Sequence, residues 1–366
     1  MTIAKIKVLH FATGGFSGVT HMVIDLIQSM QNYEDIHSLL VLRKKKNTES
    51  KLAYLNEQNI DYQLISAHSH LSSIYQLKRI CQQWQPDVLI AHGFPEHLIG
   101  RWAGYLAGVP HLIQVEHASK ERYTTWRLWQ SQFLSQHTDA IIGVSQGVTE
   151  VLKSQSLKNT NIQTICNGID CQKYSEYASQ PLAQRPHDIT MVARFAKGKN
   201  HGVLFKALSL LKQQGLTPML NLVGTGGRHM ATAKQQVADM ELTQQVKFLG
   251  HSDQVAQLLA EHKIFVMASY HEGLSLSVIE AMSAGCIVVG SDVVGVRELI
   301  IDGQDGFLFD INDANALANI LQQILTYIEV YQVMAIKAQQ KAFNHYDKTI
   351  MAKNYYQLIK DISNKN

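Results

Sequence analysis

The sequence predicts an α/β protein made of two doubly wound domains with parallel sheets. Its 366 residues are enough for two domains of ordinary size. Short apolar runs alternate with longer segments of helical period, which is typical of parallel strands joined by helical crossovers. The alternation pauses at a polar stretch with two prolines, 170–188, and then restarts. We therefore expect two similar domains, 1–180 and 181–345, that face each other across a cleft.

The strands are predicted where apolar runs are continuous, because strands of a parallel sheet are buried on both faces. In the first domain they are 5–11, 37–42, 88–91, 111–115 and 140–144, with helices at 19–30, 71–84, 98–106 and 125–136. In the second they are 189–193, 219–223, 246–249, 264–268 and 287–290, with helices at 203–214, 231–240, 254–260 and 275–284. After residue 313 the chain is predicted to be helical to its end, with a bend near 345–347.

Composition excludes several classes of protein. The chain is 46% hydrophobic and 17% charged, which excludes wholesale disorder. A net charge of +3 is low for a dedicated nucleic-acid binder. The four cysteines form no C-x-x-C pair, so we expect reduced thiols. Neither a signal peptide nor an apolar run of about 18 residues is visible, which favours a cytoplasmic protein, at most peripheral to a membrane.

Two glycine-rich turns follow predicted strands, where open parallel sheets bind ligands. The first spans 13–18 and the second 224–227, and each opens a helix. Glycine allows the backbone to approach an anion, and a helix N-terminus offers unpaired N–H groups. Plain tight turns are the alternative. The first turn is not G-x-G-x-x-G, and the second strand ends in the basic run 43–46 instead of an acidic residue, which disfavours a dehydrogenase.

Charged side chains follow two strands of the second domain. Glu272 lies in the loop after strand 264–268, and Glu280 lies on the next helix, pointing back towards that loop. Ser275 or Ser277 is predicted to cap this helix. Two carboxylates beside free amides suit a ligand with both hydroxyls and phosphate, although Glu280 could be merely a solvated helix residue. Arg194 and the lysines 197 and 199 follow strand 189–193 and suit a pyrophosphate, or form a surface cluster.

In this order and spacing, the motifs resemble the family-4 glycosyltransferases, retaining enzymes of the GT-B fold that use nucleotide sugars. Glu272 and Glu280 are similar to the family's E-x7-E motif, and Arg194 with Lys199 to its Arg/Lys pair. Asn-Gly-Ile-Asp at 167–170 is similar to its N-G-x-D turn, and Gly-Val-Arg-Glu follows at 295–298. The resemblance covers nearly the whole chain.

The resemblance implies a role for each site residue. Arg194 and Lys199 would hold the donor pyrophosphate and neutralise the leaving diphosphate. Glu280 would bind ribose hydroxyls and Glu272 the donor sugar. His117, which ends the strand 111–115, is similar to a family histidine near the reacting carbon. His92 is the weaker candidate, and a core or surface histidine is the alternative for both. The further residues expected to contact the donor are Gly14, Gly15, Gly224, Gly226, Gly273, Leu274, Ser275 and Leu276.

The implied activity is transfer of a hexose from a UDP- or GDP-linked donor to a glycan or lipid-linked glycan, with retention, in bacterial envelope polysaccharide synthesis. No carboxylate pair is obviously placed for double displacement, which favours a front-face route. There is no Asp-x-Asp, so no metal clamp and no other cofactor is expected. Residues 346–366 are expected to pack back on the first domain. A nucleotide-sugar epimerase of the same fold and a non-catalytic nucleotide-sugar-binding protein stay open as alternatives.

The sequence departs from the family pattern at several positions. Cys286 and Ala268 stand where the family usually has proline, and residues 16–20 differ from the commoner acidic-basic sequence, which leaves the acceptor open.

An aromatic and basic stretch, 119–133, raises the question of a membrane. Trp126, Trp129 and Phe133 share one face of a predicted helix. Lys120 and Arg122 flank this face, and the run 43–46 is a second basic cluster of the same domain. Tryptophan with Lys or Arg suits an anionic membrane surface. The alternative is that the face packs on the sheet of the domain.

Overall fold

The computed structural model describes residues 5–15, 18–44, 49–119, 123–159, 161–178, 182–186 and 188–364. The strands are β1 (Ile6–Thr13), β2 (Ile36–Arg43), β3 (Tyr62–Ile65), β4 (Val88–His92), β5 (His111–Glu116), β6 (Ala140–Gly143), β7 (Ile162–Thr164), β8 (Ile189–Val192), β9 (Leu220–Val223), β10 (Val246–Gly250), β11 (Ile264–Met267), β12 (Ile287–Ser291) and β13 (Phe307–Phe309). The helices are α1 (Gly18–Met30), α2 (Glu49–Glu57), α3 (His70–Trp84), α4 (Glu96–Ala107), α5 (Thr125–Ser135), α6 (Gln146–Ser154), α7 (Cys171–Glu176), α8 (His201–Gln213), α9 (Gly227–Asp239), α10 (Val255–Ala260), α11 (Leu276–Ser283), α12 (Ala314–Thr326), α13 (Gln332–His345) and α14 (Lys348–Ser363).

The chain divides into two compact units. The first contains Met1–Gly168 with Lys348–Asn366, and the second contains Ile169–Asp347. The units therefore divide after Gly168, about a dozen residues before the boundary expected near residue 180. The stretch that was expected to be a linker begins with α7, whose first turn is capped by Asp170 accepting from the N–H of Lys173 (3.0 Å). Its polar composition reflects a short capped helix, which is too brief to show helical periodicity.

The first unit is a seven-stranded parallel sheet in the order β3-β2-β1-β4-β5-β6-β7. The predicted strands are all present, whereas β3 and β7 were not predicted. Both are edge strands of three or four residues and are only partly buried, so they lack the continuous apolar run of an inner strand. Helix α4 lies close to the sheet because it has glycine at two contacts: a Cβ on Gly100 or Gly104 would lie 2.6 or 2.5 Å from a side chain of the sheet.

Helix α14 belongs to the first unit through contacts near the end of α1. The ring of Tyr356 stacks on Tyr33 with centroids 4.0 Å apart. Asp35 Oδ2 accepts hydrogen bonds from Lys360 Nζ (2.9 Å) and from the Tyr356 hydroxyl (3.1 Å). These bonds lower the pKa of Asp35 below its ordinary value. The helical path breaks at Tyr346 and Asp347, as the bend near 345–347 predicted.

The second unit is a six-stranded parallel sheet in the order β10-β9-β8-β11-β12-β13. Its strand β13 was not predicted, because three residues at a sheet edge carry too little pattern. The strands β8, β11 and β12 are central and almost wholly buried. Within the described ranges, no helix is long and apolar enough to cross a membrane.

Candidate functional site

The glycine turn after β9 packs against the loop after β8. The N–H of Ala193 donates to the carbonyl of Val223 (2.9 Å), and that of Phe195 donates to Thr225 (2.9 Å). Gly224 has a φ of +143°, and a Cβ there would lie 2.0 Å from the carbonyl oxygen of Ala193. Only glycine fits so close an approach. Arg194 is consequently held beside the turn, with its side chain exposed to solvent.

The loops after β8 and β11 are also joined, and this contact brings two predicted site residues together. The N–H of Tyr270 donates to Gly198 (2.9 Å), and that of Asn200 donates to Ala268 (3.0 Å). Between these bonds, the Lys199 ammonium forms an ion pair with Glu272. The two side chains are 20% and 15% exposed, so a ligand can reach the pair. The sequence predicted both residues for the site but not their contact.

The N-terminus of α11 follows directly after Glu272. Gly295 lies against this turn, and the N–H of Ser275 donates to its carbonyl (3.1 Å). Ser275 occupies the N-cap position, but its side chain makes no capping hydrogen bond, so the predicted side-chain cap is wrong. Its Oγ is buried without a hydrogen-bond partner among the residues described. A helix N-terminus with an uncommitted hydroxyl suits an anion or a sugar hydroxyl.

Glu280 lies in the second turn of α11 and faces α7. The hydroxyl of Tyr174 donates to its carboxylate, and Lys173 is close. Burial raises the pKa of Glu280, while these two neighbours oppose the rise. The carboxylate is thus partly buried and partnered, as its apolar neighbours suggested. Sequence reasoning missed Tyr174 because it lies in the stretch that was expected to be a linker.

Three histidines form a row at the carboxyl edge of the first sheet. His10 lies in β1, His92 ends β4 and His117 follows β5, and these strands are neighbours. Nδ1 of His10 lies 3.3 Å from Nε2 of His92, with the rings stacked. The ring centroids of His92 and His117 are 5.9 Å apart. His10 was not predicted, because nothing distinguishes a histidine inside a strand from a core residue.

Burial keeps the row uncharged at neutral pH. It lowers the pKa of His10 and of His117 to about 3, and that of His92 well below the ordinary value. Nδ2 of Asn167 lies 3.5 Å from Nδ1 of His117. Within the described part, the buried Nε2 of His117 has no hydrogen-bond partner, so this nitrogen suits a hydroxyl group of a ligand.

Gly14 and Gly15 lie at the same edge as the histidine row. The N–H of Gly14 donates to the carbonyl of Arg43 at the end of β2 (2.9 Å). Gly14 is buried and Gly15 is exposed. The next two residues of the predicted turn, 16 and 17, lie outside the described residues.

The aromatic stretch is mostly exposed. Trp126 and Trp129 are 65% and 51% exposed, and their rings stack at 4.8 Å. Phe133 is partly buried and stacks on Trp102 at 5.5 Å. The alternative of a core face is therefore wrong for the two tryptophans. The flanking cations Lys120 and Arg122, and Lys45 and Lys46 of the second basic cluster, lie outside the described residues.

The four cysteines are free thiols, and three of them, Cys81, Cys171 and Cys286, are buried. Burial raises the pKa of each of these three to about 12, so they stay protonated at neutral pH. Among the described ranges there is no group of three His, Cys, Asp or Glu side chains that could hold a metal ion.

Two family models divide the sequence between them. Residues 16–173 match the model described as Glycosyltransferase Family 4, and residues 174–341 match Glycosyl transferases group 1. Together they leave only the two ends of the chain unmatched. The chain belongs to the family-4 glycosyltransferases. It is a glycosyltransferase of the kind found in bacterial polysaccharide and glycan biosynthesis.

Curated relatives of this glycosyltransferase act on bacterial glycans. It is 25% identical over 300 residues to UDP-Gal:alpha-D-GlcNAc-diphosphoundecaprenol alpha-1,3-galactosyltransferase of Escherichia coli, covering 77% of each chain. It is 24% identical to N,N'-diacetylbacillosaminyl-diphospho-undecaprenol alpha-1,3-N-acetylgalactosaminyltransferase of Campylobacter jejuni, covering 95% of this chain and 97% of the relative.

Solved structures confirm the predicted GT-B fold class. Anabaena Alr3699/HepE, solved in complex with UDP and glucose, superposes with a TM-score of 0.83 at 19% identity, over 97% of this chain and 100% of that one. Sucrose-phosphate synthase from Thermosynechococcus elongatus has a TM-score of 0.80 at 17% identity, over 99% and 100%. At such identities the likeness shows the fold alone.

Proposed function

We propose that this glycosyltransferase moves a hexose from a UDP- or GDP-linked donor to an acceptor hydroxyl, with retention of the anomeric configuration. The observation that carries the proposal is the grouping at one sheet edge of the second unit. Exposed Arg194, the Lys199–Glu272 pair and the N-terminus of α11 all lie there. The Escherichia coli relative is named as a UDP-Gal transferase and the Anabaena structure is a complex with UDP and glucose, which supports this donor class.

In the second unit, N–H groups and cations of the chain neutralise the negative charge of the donor's diphosphate. The N–H groups at the start of α11 and the guanidinium of Arg194 bind the diphosphate. Lys199, held by Glu272, adds charge close to the phosphates. Negative charge on the leaving diphosphate grows as the glycosidic bond breaks, so these groups stabilise the transition state more than the ground state. We expect no resident metal in this role.

The two carboxylates, Glu272 and Glu280, bind different hydroxyl groups of the donor. Glu272, oriented by Lys199, accepts a hydrogen bond from the sugar, and Glu280, oriented by Tyr174, accepts from the ribose hydroxyls. Because Glu272 is committed to an ion pair, a front-face reaction is favoured over a covalent intermediate on this residue. The bond from the anomeric carbon to the phosphate oxygen breaks, the bond to the acceptor oxygen forms on the same face, and the phosphate oxygen takes the acceptor's proton.

In the first unit, His117 supplies a neutral imidazole. Its Nε2 is buried and its pKa of about 3 excludes the imidazolium at neutral pH. A neutral imidazole binds a sugar hydroxyl and does not act as a cationic clamp. We therefore assign hydroxyl positioning near the reacting carbon to His117, with His92 behind it in the row.

For the acceptor we propose a lipid-linked glycan at the cytoplasmic face of a membrane. The relatives from Escherichia coli and Campylobacter jejuni are named for acceptors carried on diphosphoundecaprenol. The exposed tryptophans of α5 flank Arg127, a combination that suits the interface of an anionic bilayer.

A thermal-shift panel of UDP-, GDP- and ADP-sugars, followed by NMR of the product's anomeric signal, tests the donor and the stereochemistry. Only a bound donor raises the melting temperature. Conversion of the donor without an acceptor would indicate an epimerase, and a shift without any turnover would indicate a binding protein. Inversion at the anomeric carbon would overturn the proposed route.

Vesicle sedimentation tests the membrane contact. We expect the chain to sediment with anionic liposomes at low salt and the Trp126→Ala/Trp129→Ala variant to stay in the supernatant. Tyr177→Ala, at an exposed aromatic residue of the second unit, is the matched control and should sediment normally. A wild-type chain that stays in the supernatant contradicts the proposal.

A further inference from the structure

A cationic cluster at the carboxyl edge of the first sheet is unused by the donor assignment. It consists of Arg43 at the end of β2, His70 at the start of α3 and Arg127 in the first turn of α5. The turn after β4 and the first residue of α4 contact the two guanidiniums. Nη1 of Arg43 lies 3.5 Å from Oε1 of Glu96, and Cζ of Arg127 stands 5.2 Å from the ring centroid of Phe94.

The cluster has the character of an anion site. The Arg43 side chain is only 12% exposed, and its Nε is buried without a hydrogen-bond partner in the described part of the chain. A buried guanidinium N–H without an acceptor is costly, so a phosphate oxygen there would be stabilising. Glu96, 4% exposed, offsets part of the charge.

The guanidiniums of Arg43 and Arg127 both lie near enough to His70 for their charges to act on its imidazole. Its pKa is lowered by burial and then by the charges of Arg43 and of Arg127. His70 itself is exposed, so the cluster opens to solvent on its side. As the first residue of α3, it also stands at the end of a helix that favours anions.

The neighbouring residues indicate what kind of molecule carries the anion. Arg127 lies between Trp126 and Trp129 in α5, whose rings form the exposed aromatic stripe. A ligand bound at Arg127 would therefore have a phosphate beside an apolar portion. A lipid diphosphate has both, because its long apolar chain is attached directly to the diphosphate.

We propose that Arg43, His70 and Arg127 bind the diphosphate of a lipid-linked acceptor. This inference rests on the proposed function, since it requires that an acceptor is glycosylated. The diphosphate would position the acceptor glycan without taking part in the bond changes at the donor sugar.

Inorganic pyrophosphate, read out at the His70 ring by ¹H–¹³C NMR, is the first test. We expect pyrophosphate to shift the His70 resonance, and Arg127→Gln to reduce the shift strongly. Arg43→Gln gives the same result if this buried substitution folds. Arg79→Gln, on the exposed face of α3, is the matched control and should respond like wild type. An unmoved His70 resonance overturns the assignment. So does an equal shift from anionic vesicles alone, which would make the membrane the source of the phosphate.

The second test compares a lipid-diphosphate glycan with the same glycan on an uncharged alkyl chain. We expect Arg127→Gln to raise the KM for the diphosphate acceptor about tenfold, because a charge-assisted hydrogen bond is lost. The KM for the donor and the rate with the alkyl glycoside should be unchanged. Equal effects on both acceptors overturn the assignment. Failure of the proposed function is distinct: no nucleotide sugar would raise the melting temperature, and neither acceptor would be glycosylated by the wild type.

Discussion

The two units have the same kind of parallel sheet, but the histidine row of the first differs in charge from the Arg194, Lys199 and Glu272 group of the second. The edge of the first unit has buried histidines, of which His10 is 0% and His92 1% exposed. The edge of the second unit has an exposed arginine and a solvent-accessible ion pair, Lys199–Glu272. The architecture supplies the place for a ligand, and the residues at the strand ends decide which ligand fits.

The difference follows from the cost of burying charge. An uncharged imidazole can be buried and still hydrogen-bond a hydroxyl, whereas a charge must remain near water or be paired. The first edge therefore suits an uncharged hydroxyl at the histidine row. The second suits a diphosphate, because its cations stay accessible.

The largest effect is expected at the charged edge. Arg194→Ala and Lys199→Ala should each lower kcat/KM about a hundredfold to a thousandfold, since they remove charge that faces the leaving diphosphate. Steady-state kinetics with the donor identified by thermal shift measures this. Lys197→Ala is the control, because this exposed lysine lies between them in sequence but is not among the groups proposed to bind the diphosphate. Unchanged kinetics in both variants would remove the distinction between the two edges.

The next effect concerns the uncharged histidine row and pH. The native pKa of His10 and of His117, about 3, lies below the unfolded value, about 6.5. Between these two pKa values the unfolded chain binds protons that the native chain does not bind. The stability that comes from the neutral histidines is therefore complete above pH 6.5 and is lost as pH falls towards 3. Between pH 7 and pH 5 each histidine should cost about 2 kcal/mol of unfolding free energy.

Urea unfolding at the two pH values measures this loss. His117→Gln should reduce the loss by about 2 kcal/mol. His229→Gln, at an exposed histidine of the second unit, should leave it unchanged. Equal losses in wild type and His117→Gln would mean that His117 is protonated in the native state.

A smaller effect separates the two glutamates of the charged edge. Glu280→Gln should weaken UDP or GDP binding about tenfold, because its proposed partner is ribose and hydrogen bonds to charged groups are strong. Glu272→Gln should spare or tighten nucleotide binding, since it frees Lys199, while transfer falls. Calorimetry measures both affinities, with exposed Glu261→Gln as control. Equal losses of affinity at positions 272 and 280 would erase the division of roles.

The smallest effect concerns Tyr174. Tyr174→Phe removes the hydroxyl that orients Glu280 and should raise the Kd for the nucleoside diphosphate about threefold, the value of one hydrogen bond. Tyr177→Phe, exposed one residue beyond α7, is the control. An unchanged Kd would show that Glu280 needs no such orientation. If Tyr174→Phe raises the Kd without changing the melting temperature of the protein, the hydroxyl acts by positioning Glu280 and not by stabilising the fold.

Much of the fold could be predicted, because the inner strands and long helices carry strong patterns. Runs such as 88–91 and 264–268 are apolar throughout, and buried parallel strands require that. The edge strands β3, β7 and β13 and the helix α7 were missed, because three to six residues at a surface carry almost no periodicity. The nine-residue helices α2 and α6 were missed as well, since each has only about two turns in which a helical period can show. The candidate site was predicted as residues at strand ends, since the topology alone brings those ends to one edge.

The fold class and the family follow from the sequence alone, and so does the prediction of site residues at strand ends. All three depend on local spacing: apolar periodicity, glycine turns, and the seven residues between Glu272 and Glu280. Which of these residues come into contact depends on the tertiary structure. It paired Lys199 with Glu272, placed Tyr174 against Glu280, joined His10 to the histidine row and left Trp126 exposed. These contacts join residues far apart in the chain or depend on how a helix face is covered, and no local pattern encodes such distances.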